Sequence, residues 1–164
     1  MSEIVTTYLL NDLDQPLPKI DKTIGGHIVF GDSPAYTVMA ETLQEMQVAS
    51  FVLESEEDFK RTYRLLKKHI GNSAHVQFIE SRTYTSEKII NKETVQIANK
   101  YHFYLGVYIG SIKPADKEAS GILYYDYPTI QEEIAENPEM FTADLKFFLN
   151  KYEAKISQFL DLLG

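Results

Sequence analysis

Residues 101–112 have the sequence YHFYLGVYIGSI, the most regular alternating stretch in the chain. Successive side chains of a strand point to opposite faces, so this alternation predicts a strand with one face on the core. The core face would carry Tyr101, Phe103, Leu105, Val107 and Ile109. The opposite face would carry His102, Tyr104, Gly106, Tyr108 and Gly110. This strand is the clearest element that the sequence predicts.

On its C-terminal side the chain returns as a second strand and then becomes helical. Residues 122–127 predict a strand that pairs antiparallel with residues 101–112, the simplest connection between them. A helix start is expected near Pro128, and one long amphipathic helix over about residues 139–162. The stripe of that helix consists of Leu145, Leu149, Tyr152, Ile156, Phe159 and Leu163. It either packs on its own sheet or buries its excess against a second copy.

On the N-terminal side an apolar run leads into a helix. Residues 27–31 are apolar in the middle and glycine-bounded, which predicts a short buried strand. Ser33 can cap the helix that follows, and Pro34 can occupy its first position without losing a hydrogen bond. The buried stripe of this helix would be Tyr36, Met39, Ala40, Leu43 and Met46.

A second strand and helix come next. Residues 48–54 predict a buried strand, and Ser55 with Asp58 resembles a capping box that opens a helix. The stripe of this helix is Phe59, Tyr63, Leu66 and Ile70. Residues 74–78 alternate and predict a strand with one face on the core. Residues 81–98 fit either strands or a helical stripe, and we favour strands, with turns near Asn91-Lys92 and Asn99-Lys100.

Together these elements predict the fold class. The chain has 164 residues, a length that suits one domain, and 44% of them are hydrophobic, enough to bury a core. No internal repeat or interdomain linker interrupts residues 1–164. We therefore predict a single α+β domain, a mainly antiparallel sheet covered by helices, with a long C-terminal amphipathic helix.

Composition excludes several functional classes. Asp and Glu number 24 against 16 Lys and Arg, a formal net charge of −8, which disfavours nucleic acid as a partner. Cysteine is absent, which excludes disulfides, thiolate metal sites and cysteine nucleophiles. No secretory signal is predicted, and no apolar stretch approaches the roughly 20 residues of a membrane span. We expect a cytoplasmic protein.

The histidines support no metal site. They are His27, His69, His75 and His102, and none has another histidine three or four residues away, so we predict no metal and no cofactor. Two of them, His75 and His102, lie in predicted strands that could be neighbours. A histidine pair there would be able to act as a general base or as a pH-sensitive contact.

Residues 30–33 have the sequence FGDS, which resembles the nucleophile block of the GDSL esterase and SGNH hydrolase family. The resemblance implies that Ser33 attacks an acyl carbonyl, with a base supplied by a later Asp-x-x-His motif. However, no histidine follows His102, Asn99 stands where that motif needs aspartate, and the family's Gly-x-Asn-Asp block is missing. Asp32 and Ser33 are therefore predicted to begin a helix.

Three surfaces are candidates for protein binding. The second helix carries a basic cluster of Lys60, Arg61, Arg64, Lys67 and Lys68, part of which can pair with Glu56 and Glu57 one turn away. Residues 126–144 are acidic and contain no lysine or arginine. The third candidate is a Tyr/Gly sheet surface that includes Tyr104, Tyr108 and Tyr125.

The leading hypothesis is a non-enzymatic protein-binding or assembly protein. It would self-associate through the charged helices and the Tyr/Gly surface. Its partner would be a protein, either another copy of the chain or a different protein. The alternative is a small-molecule-binding or hydrolytic domain that uses the Asp32-Ser33 turn and the strand histidines. A third hypothesis is a nucleic-acid mimic, which requires carboxylates in a spaced double row.

Overall fold

The computed structural model of the chain describes residues 6–11, 19–90, 93–113 and 119–164. Within these ranges the chain forms six strands and five helices, an α+β fold as predicted. The strands are β1 (Thr6–Asn11), β2 (Lys19–Asp21), β3 (Ser50–Leu53), β4 (Ala74–Ile90), β5 (Glu93–Val107) and β6 (Ala119–Tyr125). The helices are α1 (Pro34–Met46), α2 (Glu56–Leu66), α3 (Tyr127–Glu136), α4 (Ala143–Lys151) and α5 (Glu153–Leu163).

The strands form two three-stranded sheets. One has the order β2-β1-β6 and is antiparallel, and the other has the order β3-β4-β5. In the second sheet β3 runs parallel to β4, with α2 as the crossover, while β4 and β5 form a long antiparallel hairpin. Most strand pairs among the described residues are therefore antiparallel, as expected.

The partner predicted for β5 was wrong. β5 pairs with β4, from Val107 opposite His75 to Glu93 opposite Ile90, whereas β6 pairs with β1. A hairpin closes over a short connection and so loses little loop entropy, which favours β4 over the more distant β6. The strand hypothesis for residues 81–98 is confirmed within the described residues. The turn predicted near Asn99-Lys100 was wrong, because β5 continues through these residues to Val107, and the turn predicted near Asn91-Lys92 lies outside the described residues.

The core lies on both faces of the β3-β4-β5 sheet. On one face Phe103 stacks on Tyr152 and Phe148, with ring centroids 4.2 and 5.3 Å apart. This larger cluster holds the buried side chains of α4 together with Ile156 of α5. On the opposite face Met46 of α1 and Val76 of β4 belong to a smaller cluster. The alternation along β5 is thus confirmed up to Val107, where the strand ends.

The long C-terminal helix that we predicted is divided into two. A 3₁₀ turn at Pro138–Met140 precedes α4, whose N-cap is Thr142, and the chain leaves helical geometry at Tyr152 before α5 begins. Tyr152 has φ −110° and ψ 17°, and its ring packs on Phe103. The apolar stripe therefore continues across Tyr152, although the helical conformation of the backbone is interrupted there. Both helices pack on the chain's own sheet.

The helix starts predicted at Ser33, at Ser55 and near Pro128 are confirmed, the last by α3, which begins at Tyr127. The Ser33 hydroxyl accepts a hydrogen bond from the Tyr36 N–H at 3.1 Å, and Pro34 is the first residue of α1. The Ser55 hydroxyl likewise accepts from the Asp58 N–H at 3.1 Å at the start of α2. None of the helices in the described ranges has the length and apolar composition to cross a bilayer.

Candidate functional site

Helix α1 presents its apolar side to solvent. Leu43 is 57% exposed and Tyr36 56%, and Met39 is also exposed, so the predicted buried stripe was wrong except at its last residue, Met46. The side that faces inward carries Thr37, Thr42, Glu45 and Met46.

Threonine hydroxyls explain how a partly polar side can be buried. The Thr42 hydroxyl donates to the Val38 carbonyl at 2.6 Å, and the Thr37 hydroxyl donates to the Ser33 carbonyl at 3.4 Å. Hydroxyls that bond to the helix's own backbone reach the interior without an unpaired polar group. These two threonines were the signal in the sequence for the true inward side.

The residues before α1 add to the exposed apolar surface. The strand predicted for residues 27–31 was wrong. These residues are irregular and exposed. The Asp32 N–H donates to the Val29 carbonyl at 3.0 Å, and Gly31 has φ +98°, as a turn of this kind requires at its third residue. Phe30 stands at the second position of that turn and is fully exposed.

We call these residues the α1 surface. It consists of Ile28, Val29, Phe30, Tyr36, Met39 and Leu43, all of them exposed. At their exposed fractions these side chains leave on the order of 700 Å² accessible, given about 150–250 Å² for an aromatic side chain. The largest apolar patch of a typical monomer is about 300–600 Å², so the summed exposed area of these six side chains is large for neighbouring residues of one chain.

The α1 surface is flanked by uncharged side chains along the helix. Residues 34–47 contain no lysine or arginine, and their two acids turn away from solvent, since Glu45 is buried and Glu41 half-buried. The exposed polar residues on α1 and at its end are the amides Gln44 and Gln47. A partner can therefore cover this side of α1 without burying a charge.

The basic cluster on α2 is partly used within the helix. Lys60 forms an ion pair with Glu56, and Arg61 forms one with Asp58 at 2.9 Å. Three cations towards the end of the helix and just after it are exposed and form no ion pair with any described residue: Arg64, Lys67 and Lys68. Leu65 lies among them and is 75% exposed.

The structure does not bring the three predicted tyrosines together. Tyr104 and Tyr108 are half-buried against the smaller cluster on the α1 side of the sheet, whereas Tyr125 packs against the larger cluster. Burial raises the pKa of the Tyr104 phenol, with a further contribution from the Glu54 charge. Part of the predicted Tyr/Gly surface is thus interior packing.

The histidines of the alternative hypothesis lie on opposite faces of the sheet. His75 is opposite Val107 and is fully buried beside Phe51, while His102 points to the other side of β5 and bonds Ser81 at 2.6 Å. Burial lowers the pKa of both imidazoles. No described histidine bonds the Ser33 hydroxyl, which caps α1.

Metal ligation has no support in the described part of the chain. No group of three or more histidine, aspartate or glutamate side chains is placed there to hold an ion.

A comparison with models of known protein families finds no match to the chain, and a search of curated proteins finds no match either. The α1 surface therefore has to be interpreted from its own physical chemistry.

Proposed function

We propose that this chain is a non-enzymatic protein-binding protein that self-associates through the α1 surface. The observation that carries the proposal is the exposed apolar side of α1, with the turn at Phe30 beside it. Removing apolar surface from water is the main favourable term in association, and large exposed patches mark interaction sites.

Charge favours a second copy as the occupant. A two-fold axis sets the same patch of both copies face to face, so a charged patch repels itself. The basic end of α2 would repel the same end of a second copy, and the acidic segment 126–144 would repel its own counterpart. The chain as a whole has a net charge of −8. The exposed side of α1 carries no charge of its own, and Asp32, just before the helix, is the one acidic or basic residue among residues 28–40, so self-repulsion is smaller there than at the other two surfaces.

The spacing on α1 also suits self-pairing. Met39 and Ala40 lie between Tyr36 and Leu43, so the middle of the stripe holds one flexible and one small side chain, and its two ends are large. An antiparallel pair of α1 helices that cross near Ala40 sets Tyr36 of each copy against Leu43 of the other, which is the reciprocal contact of a two-fold interface. The available area, on the order of 700 Å² per copy, is close to the roughly 800 Å² per partner of a standard interface.

The other predicted surfaces take secondary parts in this proposal. Arg64, Lys67 and Lys68 stay accessible in such a dimer and are suited to an acidic segment of a further partner. Lys60 and Arg61 are less available because they pair within α2. We assign the protein to the cytoplasm, since a chain without cysteine suits a reducing compartment.

Two matched leucine substitutions test the proposal. Leu43→Glu places a charge in the α1 surface, and Leu65→Glu places the same charge at a more exposed leucine on α2 among basic residues. In analytical ultracentrifugation the wild type and Leu65→Glu should sediment as dimers. Leu43→Glu should raise the dimer dissociation constant at least about 100-fold. The two-fold axis places the substituted residue in the interface twice, and each copy should cost as much binding free energy as the loss of a hot-spot residue.

The proposal fails if the wild type is a monomer at about 100 μM. It also fails if Leu43→Glu dimerises as tightly as Leu65→Glu. Circular dichroism of both variants establishes that each is folded before the comparison is made.

A further inference from the structure

The hairpin of β4 and β5 extends past the helices that cover its sheet. In the described part of the chain, its last ring contact with α4 is that of Tyr84 with Phe147. Beyond that contact residues 85–90 pair with residues 93–98, and we call these two segments the arm. Six residues of strand span about 20 Å. A two-stranded ribbon is only marginally stable in water without a third strand or a packed face.

The outer edge of β5 is open along the arm. β5 is the last strand of its sheet, and it pairs with β4 on one edge while no described strand lies on the other. Its side chains over residues 93–98 are exposed except Ile97, which is half-buried. An open edge presents unpaired N–H and C=O groups to any chain that can add a strand.

The sequence of the arm does little to block such pairing on the β5 side. Proteins protect open edges with lysine, proline, bulges or inward charges. Residues 93–98 contain one charged residue, Glu93, and no lysine or proline, whereas residues 85–90 on β4 contain a lysine. The irregularity in the pairing of β4 with β5 lies at residues 78–80, outside the arm. The β5 edge is therefore the one suited to strand addition.

The side chains of this edge match those of a second copy. Two antiparallel strands related by a two-fold axis normal to the sheet keep the same face, and one residue lies opposite its own counterpart. With Gln96 on the axis, aliphatic side chains meet twice on one face, as Val95 of each copy lies opposite Ile97 of the other. Glu93 then lies opposite the uncharged Asn99, so no charge meets a like charge.

Neighbouring registers match less well. An axis at Ile97 sets Val95 opposite Asn99, and an axis at Val95 sets Glu93 opposite Ile97. Both place a polar or charged side chain against an aliphatic one.

The arm also keeps the two acidic copies apart. Each arm runs away from its own core, so antiparallel pairing places the two cores at opposite ends of the joined arms. Their separation of about 20 Å exceeds the screening length of about 8 Å at physiological ionic strength. The net charge of −8 on each chain therefore opposes this contact only weakly.

We propose that the β5 edge of the arm adds to the same edge of a second copy, antiparallel and with Gln96 on the two-fold axis. The contact is smaller than a standard interface, and we expect a dissociation constant of about 1 mM. It leaves the α1 dimer intact at about 100 μM and joins such dimers where their local concentration is high. The pairing itself does not require the α1 dimer.

Disulfide trapping tests the register, because the chain has no cysteine of its own. Opposed residues of antiparallel strands have Cα atoms about 4.5–5.5 Å apart, which suits a disulfide. Gln96→Cys should therefore form covalent dimers at least about 10-fold faster than Thr94→Cys or Ala98→Cys. The controls are exposed on the same face, yet each lies about 14 Å from its own counterpart.

A charge on the edge provides a second test. Val95→Lys, combined with Gln96→Cys, should slow the cross-linking to the rate of the two control cysteines, since lysine blocks strand addition. Thr85→Lys places the same charge on the other strand of the arm and should leave the rate unchanged. Circular dichroism establishes that each variant is folded.

The cross-linking is repeated in the Leu43→Glu background, which separates this proposal from the α1 dimer. The preference for Gln96→Cys should persist there whether or not Leu43→Glu changes the sedimentation of the protein. The proposal is overturned if the three cysteine variants cross-link at equal rates, if a control is the fastest, or if none cross-links. It is also overturned if Val95→Lys has no more effect than Thr85→Lys.

Discussion

Replacing Met46 by alanine should destabilise the protein far more than replacing Leu43, although both belong to the apolar stripe that the sequence predicts for α1. Met46 is 5% exposed and packs with Val48 and Val76, so its truncation leaves a cavity and should cost about 2–5 kcal/mol. Leu43 is 57% exposed, so less than half of the roughly 1.5–3 kcal/mol that a fully buried leucine contributes is lost, and we expect Leu43→Ala to cost about 0.6–1.3 kcal/mol.

Urea unfolding followed by circular dichroism measures both losses as shifts in the transition midpoint. Alanine is at least as good a helix former as leucine or methionine, so helix propensity affects the two variants alike. The proteins must be diluted until the wild type is monomeric, because dimerisation adds a concentration-dependent term to the stability. If Leu43→Ala then costs as much as Met46→Ala, α1 is turned the other way and our account of its surface is refuted.

Two further predictions concern the core and the helix caps. Burial lowers the pKa of His75, so the unfolded chain takes up its proton first as the pH falls through about 6.5, and the free energy of unfolding should decrease from pH 7 to pH 5.5 by up to about 1.4 kcal/mol per pH unit. Burial lowers the pKa of His102 as well, so His75→Gln should reduce this slope without abolishing it, and an unchanged slope would contradict the assignment. The Thr142 hydroxyl accepts from the Leu145 N–H and donates to Asp21 at 2.7 Å, so Thr142→Ala should cost about 1–2 kcal/mol in urea unfolding. Thr142→Ser keeps both bonds and should cost much less; equal losses would assign the effect to the methyl group.

Some features of this fold could be predicted because their causes are local. Ser33 and Ser55 cap their helices through bonds to backbone groups three residues away, so the causes lie within one turn of sequence. The alternation along β5 has the same local origin, since strand geometry alone sends neighbouring side chains to opposite faces. Of the two ion pairs that spacing predicts on α2, the one between Lys60 and Glu56 forms, whereas Arg61 pairs with Asp58 and not with Glu57.

The strand pairing and the break at Tyr152 could not be predicted in this way. Whether β6 lies beside β1 or β5 depends on which strand edges are already occupied, which is a property of the whole sheet. The break between α4 and α5 coincides with the stacking of Tyr152 on Phe103, a residue almost fifty positions earlier. A continuous apolar stripe carries no information about such a contact.

The candidate sites show the same division most clearly. Helix α1 has two sides that could each be buried, one apolar and one made acceptable by threonine hydroxyls bonded to the helix's own carbonyls, and the sequence pattern favours the wrong side. Helix caps and strand faces are determined by neighbours along the chain. Which side of a helix meets solvent is determined by which distant surfaces pack best against it, and those surfaces meet only in the folded protein.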